Sequence, residues 1–203
     1  MIKDKQICDL LVVGASNGGM EAFIKILGGL NPDFQLPIVF VLHQQRSNKS
    51  ILPNILSGHS NLIVKEPVDK EKITNCHVYV APPDYHLLIE SDKTLAYSFS
   101  EPLNYSRPSI DILFETAAES YTNRVAGLLL TGANNDGAVG LASISKIGGM
   151  TIVQDPTTAR SREMPQAAID LGCNENVLAL DDIADFLNNI DSNNRSKPLD
   201  ASE

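Results

Sequence analysis

The sequence has no tryptophan, and aromatic residues make up only 5% of its 203 residues. Its three cysteines, Cys8, Cys76 and Cys173, include no closely spaced pair, which argues against a disulfide framework and a four-ligand zinc site. The amino-terminal apolar stretch is too short for a signal peptide, and no apolar run approaches the roughly 18 residues of a membrane helix. These absences predict a cytoplasmic protein without membrane insertion.

Positive charge is also scarce. The sequence has 16 Lys and Arg residues and 25 Asp and Glu residues, which give a formal net charge of −9. Non-specific nucleic-acid binding needs a basic surface, so this balance argues against nucleic acid as a partner. The hydrophobic share of 43% and the charged share of 20% are those of an ordinary globular protein. We predict one domain over residues 1–190 and a disordered polar tail over residues 191–203.

Short apolar runs alternate with helical patterns along the chain. The continuous runs at residues 10–14, 37–42, 125–130 and 151–154 are typical of strands buried on both faces. Apolar residues between them recur with the helical period. This alternation predicts an α/β fold with a doubly wound, mostly parallel sheet and helices on both faces, in a Rossmann-like three-layer arrangement. Residues 78–99, broken by turn residues, predict a small β-hairpin excursion.

Ligands of such sheets bind beyond the carboxyl ends of the strands. The first strand ends in residues 14–18, which match the G-x-S-x-G nucleophile elbow between a strand and a helix. That turn would expose the Ser16 hydroxyl and offer helix N–H groups to an oxyanion. A glycine-rich turn of this kind is also typical of a phosphate-binding loop or of a plain tight turn, so the motif alone leaves three interpretations.

Two further strand ends carry residues that complete a hydrolytic site. His43 follows the second strand, and a serine hydroxyl needs a base such as histidine to take its proton. Asp136 follows the strand at residues 125–130, where a buried carboxylate would fix the histidine tautomer. Taken alone, a loop histidine is more often a surface residue, and such an aspartate more often caps a helix. Together with Ser16 they predict a Ser–His–Asp triad, in an order that differs from that of the α/β-hydrolases.

The chain also resembles the catalytic domain of the chemotaxis receptor methylesterases, the CheB family. The resemblance covers residues 9–190 and consists of several separate motifs in the same order. These motifs are VVGASNGGMEA (12–22), VLHQQRSNKSILPNIL (41–56), HVYVAPPDYHLLIE (77–90), RPSIDILFETAAESY (107–121), LLLTGANNDGAVGLASISKIGGMTIVQDP (128–156) and MPQAAID (164–170).

The resemblance implies a serine hydrolase that removes methyl esters from glutamyl side chains of chemoreceptor helices and releases methanol. It also implies possible deamidation of receptor glutamines, by the same acyl-enzyme mechanism. By position, Ser16 corresponds to the family's nucleophile, His43 to its histidine and Asp136 to its aspartate. Hydrolysis through a serine needs no metal, and no cofactor is expected.

Two departures from the family pattern fall near the expected oxyanion site. The family usually has threonine where this chain has Asn17, and methionine where it has Ala133. These residues and Gly18 are the candidates for the oxyanion site and the substrate pocket. Receptor methylation helices are typically acidic, so Arg46 and Arg107, which flank the matched motifs, are the candidates for docking the substrate.

Members of the chemotaxis pathway carry an amino-terminal phospho-acceptor domain, and this sequence starts at the catalytic domain. We therefore expect a stand-alone form, with a separate phosphorelay protein as a candidate regulator. Two other functions stay open at this point. One is a catalytically weak or idle esterase-like domain that acts as an interaction partner in a sensory complex. The other is a phosphate- or nucleotide-binding module that uses residues 14–19, although the lysine and the Ser/Thr of a phosphate-binding loop are missing there.

Overall fold

A computed structural model describes residues 6–44, 51–103 and 106–196 of the chain. Strands and helices alternate over most of this length, as the apolar patterns predict. In chain order they are β1 (Leu10–Ala15), α1 (Gly19–Gly29), β2 (Ile38–Leu42), α2 (Leu52–Ser57), β3 (Ile63–Lys65), β4 (Glu71–Lys72), β5 (His77–Val80), β6 (His86–Ile89), β7 (Thr94–Ser98), α3 (Ile110–Tyr121), β8 (Val125–Leu129), α4 (Ala138–Lys146), β9 (Met150–Gln154), α5 (Glu163–Asp170), β10 (Val177–Leu178) and α6 (Leu180–Arg195).

The larger sheet has seven strands in the order β10, β9, β8, β1, β2, β5 and β3, and all neighbouring strands in it are parallel. β1 lies at its centre, where Val12 pairs with Val39 of β2 on one side and with Gly127 of β8 on the other. From β1 the chain builds the sheet outward through β2 and later returns to the other side of β1 with β8. This reversal of strand order opens a crevice at the carboxyl ends of these three strands.

Two apolar cores cover opposite faces of this sheet. One core contains residues of α1, α2 and α6, and the ring of its Phe23 stacks on Phe40 of β2 with the centroids 4.0 Å apart. The other contains residues of α3, α4 and α5, including Phe114 and Leu141. β1 and β2 are buried along their whole length because helices cover both faces. The predicted doubly wound α/β fold with three layers is confirmed.

A small antiparallel sheet of β4, β7 and β6 accounts for the predicted hairpin excursion. Residues 78–80, which the prediction included in this excursion, do not belong to the small sheet, however. Residues 77–80 form β5, which lies in the larger sheet between β2 and β3. Val78, Tyr79 and Val80 are fully buried. A strand buried on both faces belongs inside the parallel sheet and not in a half-exposed hairpin.

The last helix corrects the predicted tail boundary, because α6 runs through Arg195 rather than ending at residue 190. Asp191 is buried, and its carboxylate accepts hydrogen bonds from the main-chain N–H groups of Gln35 and Leu36. The Asn194 side chain bonds the main chain of Cys8. These polar residues therefore bind distant backbone, which a polar composition does not reveal. Residues 197–203 of the predicted tail lie outside the described part of the chain.

Candidate active site

The turn after β1 carries Ser16 at the carboxyl end of the central strand. A Cβ atom at Gly14 would lie 2.2 Å from Ile110 Cγ2, so this position leaves no room for a side chain. Gly18 has a φ of 80°, a left-handed conformation that glycine adopts without strain. α1 begins directly after it at Gly19. The glycines thus permit the sharp strand-to-helix turn that the sequence predicts, with Ser16 half-buried within it.

Hydrogen bonds join this turn to the loop after β8. The Ser16 N–H donates to Thr131 O over 2.9 Å. The Thr131 hydroxyl donates to Asn17 O, also over 2.9 Å. The Asn17 side-chain amide donates to Ser161 Oγ, in the segment between β9 and α5, over 2.7 Å. The turn with the predicted nucleophile and the loop that leads to Asp136 are therefore held together by main-chain and side-chain bonds.

His43 lies beside the Ser16 turn, since its main-chain N–H donates to Ala15 O over 3.1 Å. Its side chain is 14% exposed, and Nε2 lies 2.7 Å from Asp136 Oδ2. An ionised carboxylate only accepts, so Nε2 carries the proton and Nδ1 is the basic nitrogen. Nδ1 lies 3.5 Å from Asn134 Nδ2. Among the described residues, no hydrogen bond joins the Ser16 hydroxyl to the imidazole.

The amino-terminal end of α3 surrounds the carboxylate of Asp136, which is fully buried. Oδ1 accepts from the Ser109 hydroxyl over 2.9 Å and from the Asp111 N–H over 3.1 Å. Oδ2 accepts from the Ile110 N–H over 2.8 Å, in addition to His43. The carboxylate thereby satisfies N–H groups that the start of a helix leaves unpaired. Burial acts to raise the pKa of Asp136, but the bonds from His43 and Ile110 outweigh it and lower that pKa.

A second buried carboxylate, Asp111, forms the reciprocal bond, from the start of α3 to the start of α4. It lies in the first turn of α3, and its Oδ1 accepts from the Gly140 N–H in the first turn of α4 over 2.7 Å. Asp136 precedes α4 and binds the start of α3, so each helix start receives a carboxylate from the other segment. Burial, joined by the nearby charge of Asp136, raises the pKa of Asp111 to about 6, although the Gly140 bond opposes this rise.

The predicted oxyanion candidates differ in what they offer. The main-chain N–H groups of Asn17 and Gly18 donate to no acceptor among the described residues, so both are available as donors near Ser16. The Asn17 side-chain amide already bonds Ser161. Ala133 is exposed in the loop after β8, and its methyl group supplies no donor. The main-chain groups are therefore the donors at this turn that have no acceptor among the described residues.

A cleft of about 190 Å³ lies beside His43, and Gln44 and Arg107 are among the residues that line it. The Arg107 guanidinium lies 4.0 Å from the centre of the Phe99 ring. Two donor atoms, Arg107 Nε and Gln44 Nε2, are buried and have no partner among the described residues. Of the two predicted docking residues, Arg107 thus lies next to His43, and Arg46 lies outside the described residues.

Sequence reasoning missed the residues that hold the site together. Ser109 had a detectable signal, because a serine directly before an apolar-periodic helix is a typical N-cap. Asn134, which approaches His43, and Thr131, which bonds the Ser16 turn, had none. Their roles depend on contacts between loops that are far apart in the chain.

Some features are absent from the part of the chain that the structure describes. It contains no group of three or more His, Cys, Asp or Glu side chains that could hold a metal ion. None of its helices is long and apolar enough to cross a bilayer. Cys8, Cys76 and Cys173 are free thiols, and burial raises the pKa of Cys8 to about 12.

Comparison with known families bears on this site. The sequence model of the family described as CheB methylesterase matches residues 11–187. The chain belongs to the CheB methylesterase family. The matched region of this family member includes Ser16, His43 and Asp136 and leaves out only the ends of the chain.

Relatives and a solved structure extend this similarity. A relative in Leptospira interrogans, named as a protein-glutamate methylesterase/protein-glutamine glutaminase, is 46% identical over 92% of this chain and 96% of its own length. The crystal structure of the Thermotoga maritima CheB methylesterase catalytic domain has a TM-score of 0.86 and 31% identity, and the match covers 90% of this chain and 98% of that one. A Caulobacter vibrioides protein-glutamate methylesterase/protein-glutamine glutaminase is 35% identical, but this chain spans only 53% of its length.

Proposed function

We propose that this chain is a protein-glutamate methylesterase that acts through Ser16, His43 and Asp136. The observation that carries the proposal is the 2.7 Å contact between His43 Nε2 and Asp136 Oδ2, at the sheet edge that also holds the Ser16 turn. A buried anion on a histidine beside such a serine is the arrangement that activates a hydroxyl as a nucleophile. The names of the relatives supply the substrate class, protein glutamyl methyl esters, and CheB family membership supports chemoreceptors as the proteins that carry them.

In the first half of the reaction the Ser16 Oγ attacks the carbonyl carbon of the glutamyl ester. His43 Nδ1 takes the hydroxyl proton, because Nε2 is occupied by the bond to Asp136. The buried carboxylate stabilises the imidazolium that forms. The tetrahedral intermediate then expels methoxide, which takes the proton from Nδ1 and leaves as methanol, and the glutamyl group remains bonded to Ser16.

In the second half a water molecule attacks the glutamyl-enzyme and gives its proton to His43 Nδ1. The same proton returns to the Ser16 oxygen as the acyl bond breaks, so the products are a free glutamate side chain and the original enzyme. Deamidation of a receptor glutamine follows the same course with ammonia as the leaving group. Asp136 keeps its charge throughout.

The negative oxygen of the tetrahedral intermediate needs hydrogen-bond donors near Ser16. We assign this role to the main-chain N–H groups of Asn17 and Gly18, because they have no acceptor among the described residues and lie at the start of α1. The replacement of threonine by Asn17 and of methionine by Ala133 then changes the walls of the pocket and leaves these main-chain donors in place.

The proposed partner is a methylated cytoplasmic helix of a chemoreceptor, and we accordingly place the reaction in the cytoplasm. Tyr85 and Phe99 are 43% and 67% exposed, with ring centroids 5.6 Å apart. Arg107 covers Phe99 and lines the cleft beside His43. An exposed aromatic pair next to a cation fits an amphipathic helix that carries acidic side chains. Regulation by a separate phosphorelay protein stays a prediction.

The deciding experiment is methanol release from membranes with methyl-labelled chemoreceptors of the same organism. We expect the wild type to release methanol, and Ser16→Ala to be slower by about four orders of magnitude or more. The matched control is Ser192→Ala, at an exposed serine of α6, which should behave like the wild type. If wild type and Ser16→Ala release methanol equally, or neither does so, the esterase proposal fails and the interaction-partner hypothesis replaces it.

The docking role of Arg107 has its own test in the same assay. Arg107→Ala removes the cation beside the cleft, and we expect KM to rise about fivefold, which corresponds to ~1 kcal/mol, while kcat stays within about twofold. Lys146→Ala, at an exposed lysine of α4, controls for loss of one positive charge. A fall in kcat at unchanged KM would contradict docking and indicate a different role for this residue.

A further inference from the structure

His86 is a buried histidine that the proposed reaction does not use. It is the first residue of β6 in the small antiparallel sheet, and none of its surface is exposed. Both ring nitrogens have partners. Nδ1 lies 3.1 Å from the Ser109 main-chain nitrogen, and Nε2 lies 3.2 Å from the main-chain oxygen of Glu101.

These partners define the state of the ring. A main-chain N–H can only donate, so Nδ1 is the acceptor, and a carbonyl oxygen can only accept, so Nε2 carries the proton. The imidazole is therefore neutral with one fixed tautomer. Burial lowers the pKa of His86, the Glu101 bond opposes this, and the charges of Arg107 and Asp136 act on it from the neighbouring segments.

Ser109 connects this ring to the candidate catalytic acid. It is the fully buried N-cap of α3, and its hydroxyl donates to Asp136 Oδ1 over 2.9 Å. The next two residues donate their N–H groups to the same carboxylate. His86 thus binds the main chain of Ser109, the first of the three consecutive residues of the α3 start that donate to Asp136.

We propose that His86 is a positioning residue that sets the start of α3 and thereby aims the Asp136 carboxylate at His43. This inference rests on the proposed function, in which Asp136 orients the catalytic histidine. It assigns the small sheet a part in the reaction, because β6 supplies the ring that fixes Ser109. Displacement of a reacting group by about 1 Å is enough to cost on the order of 10²-fold in rate.

Two nearly isosteric variants of His86 test separately its bond to the Ser109 N–H and its bond to Glu101 O. In His86→Asn the amide oxygen takes the place of Nδ1 and can still accept from the Ser109 N–H. In His86→Gln the amide takes the place of Nε2, so it keeps a group near Glu101 O and leaves the Ser109 N–H without its acceptor. His59→Gln, at an exposed histidine, is the matched control.

We expect His86→Gln to lower kcat for methanol release by about 10²-fold with KM within about twofold, and His86→Asn to keep kcat within about threefold. Ser109→Ala removes the hydroxyl bond to Asp136 and also the N-cap acceptor of the Ile112 N–H, and its kcat should fall between those of the two His86 variants. If both His86 variants lose activity equally, or neither does, or only KM changes, the positioning role is wrong. Thermal unfolding of each variant identifies any that fail to fold. If a His86 variant does not fold, the kcat of Ser109→Ala is used to test the positioning of Asp136 instead.

A second readout does not depend on activity. The Nε2–H proton of His43, bonded to a buried carboxylate, should give a downfield imidazole resonance that exchanges slowly, assigned by its loss in His43→Gln. We expect this resonance in wild type and His86→Asn and its loss or upfield movement in folded His86→Gln. An unchanged resonance in His86→Gln would overturn the inference. Absence of methanol release by the wild type, with this response intact, would instead count against the proposed function alone.

Discussion

The Ser16 turn and the Asp136 pocket lie at the same edge of the sheet but are built differently. The turn depends on residues 14–19, whose glycines meet local steric demands. The pocket brings together His43, the start of α3 and Asp136, which stand far apart in the chain. A short motif can therefore identify a nucleophile, whereas the setting of the acid follows only from how α3 packs against the sheet.

The largest effect is expected from a substitution in the Asp136 pocket that leaves the Ser16 turn unchanged. In Asp136→Asn an amide replaces a group that only accepts hydrogen bonds, so His43 loses the anion that fixes its tautomer. We expect kcat for methanol release to fall by about 10⁴-fold. Asp185→Asn, at an exposed position of α6, is the control and should leave kcat unchanged. A kcat within tenfold of wild type would show that Asp136 is a capping residue only.

A second change links the two regions through Gly14. In Gly14→Ala the new methyl group would meet Ile110 Cγ2 at 2.2 Å, and Ile110 donates its N–H to Asp136. We expect the free energy of unfolding in urea to fall by about 1–3 kcal/mol, together with a loss of activity.

The matched control for this change is Gly28→Ala in α1, where a Cβ atom would meet nothing within 4 Å. Alanine is the better helix former, so this variant should be more stable by roughly 0.5–1 kcal/mol. Equal effects of the two substitutions would mean that the close approach of α3 to β1 is not tight.

The smallest effect concerns the second carboxylate of the pocket and depends on pH. Burial raises the pKa of Asp111 from 3.8 to about 6. Between these values the folded chain holds a proton that the unfolded chain has lost, so this residue's contribution to stability is present at low pH and falls as pH rises through the window.

Asp111→Asn mimics the protonated carboxyl and cannot lose this contribution. We therefore expect its free energy of unfolding, relative to wild type, to increase as the pH is raised from about 4 to about 6. Asp185→Asn should show no such trend. Urea unfolding at several pH values measures both, and a flat or falling difference for Asp111→Asn would contradict the raised pKa.

Much of the fold could be predicted from the sequence because its central strands are apolar on both faces. β1, β2 and β8 are continuous runs, and local composition suffices to find them. Two predictions were wrong for the same reason: the assignment of β5 to the hairpin and the end of the last helix at residue 190. Both depend on which distant segments of the chain pack on these residues. The polar side chains of Asp191 and Asn194 bind backbone more than 150 positions away, as the separations of 155 and 186 residues show.

The candidate site likewise has residues that could be predicted from local sequence and residues that could not. Ser16, His43 and Asp136 each follow a strand, and the order of β8, β1 and β2 brings those strand ends together. Their joint action as a triad stays a prediction. The N-cap position of Ser109 has a local sequence signal, but its bond to Asp136 and the place of His86 could not be predicted, because they depend on contacts between the small sheet, α3 and the loop after β8.

The reciprocal bonds from Asp136 to the start of α3 and from Asp111 to the start of α4 also affect how this part of the molecule unfolds locally. Asp136 binds the start of α3 and Asp111 binds the start of α4, so neither helix can fray at its amino-terminal end without releasing the other. The two helices should open as one cooperative unit, with linked protection of the Ile110 and Gly140 amide protons from hydrogen exchange. Any denaturant concentration that opens this unit also releases Asp136, so catalysis is lost with the unit even where the central strands stay folded.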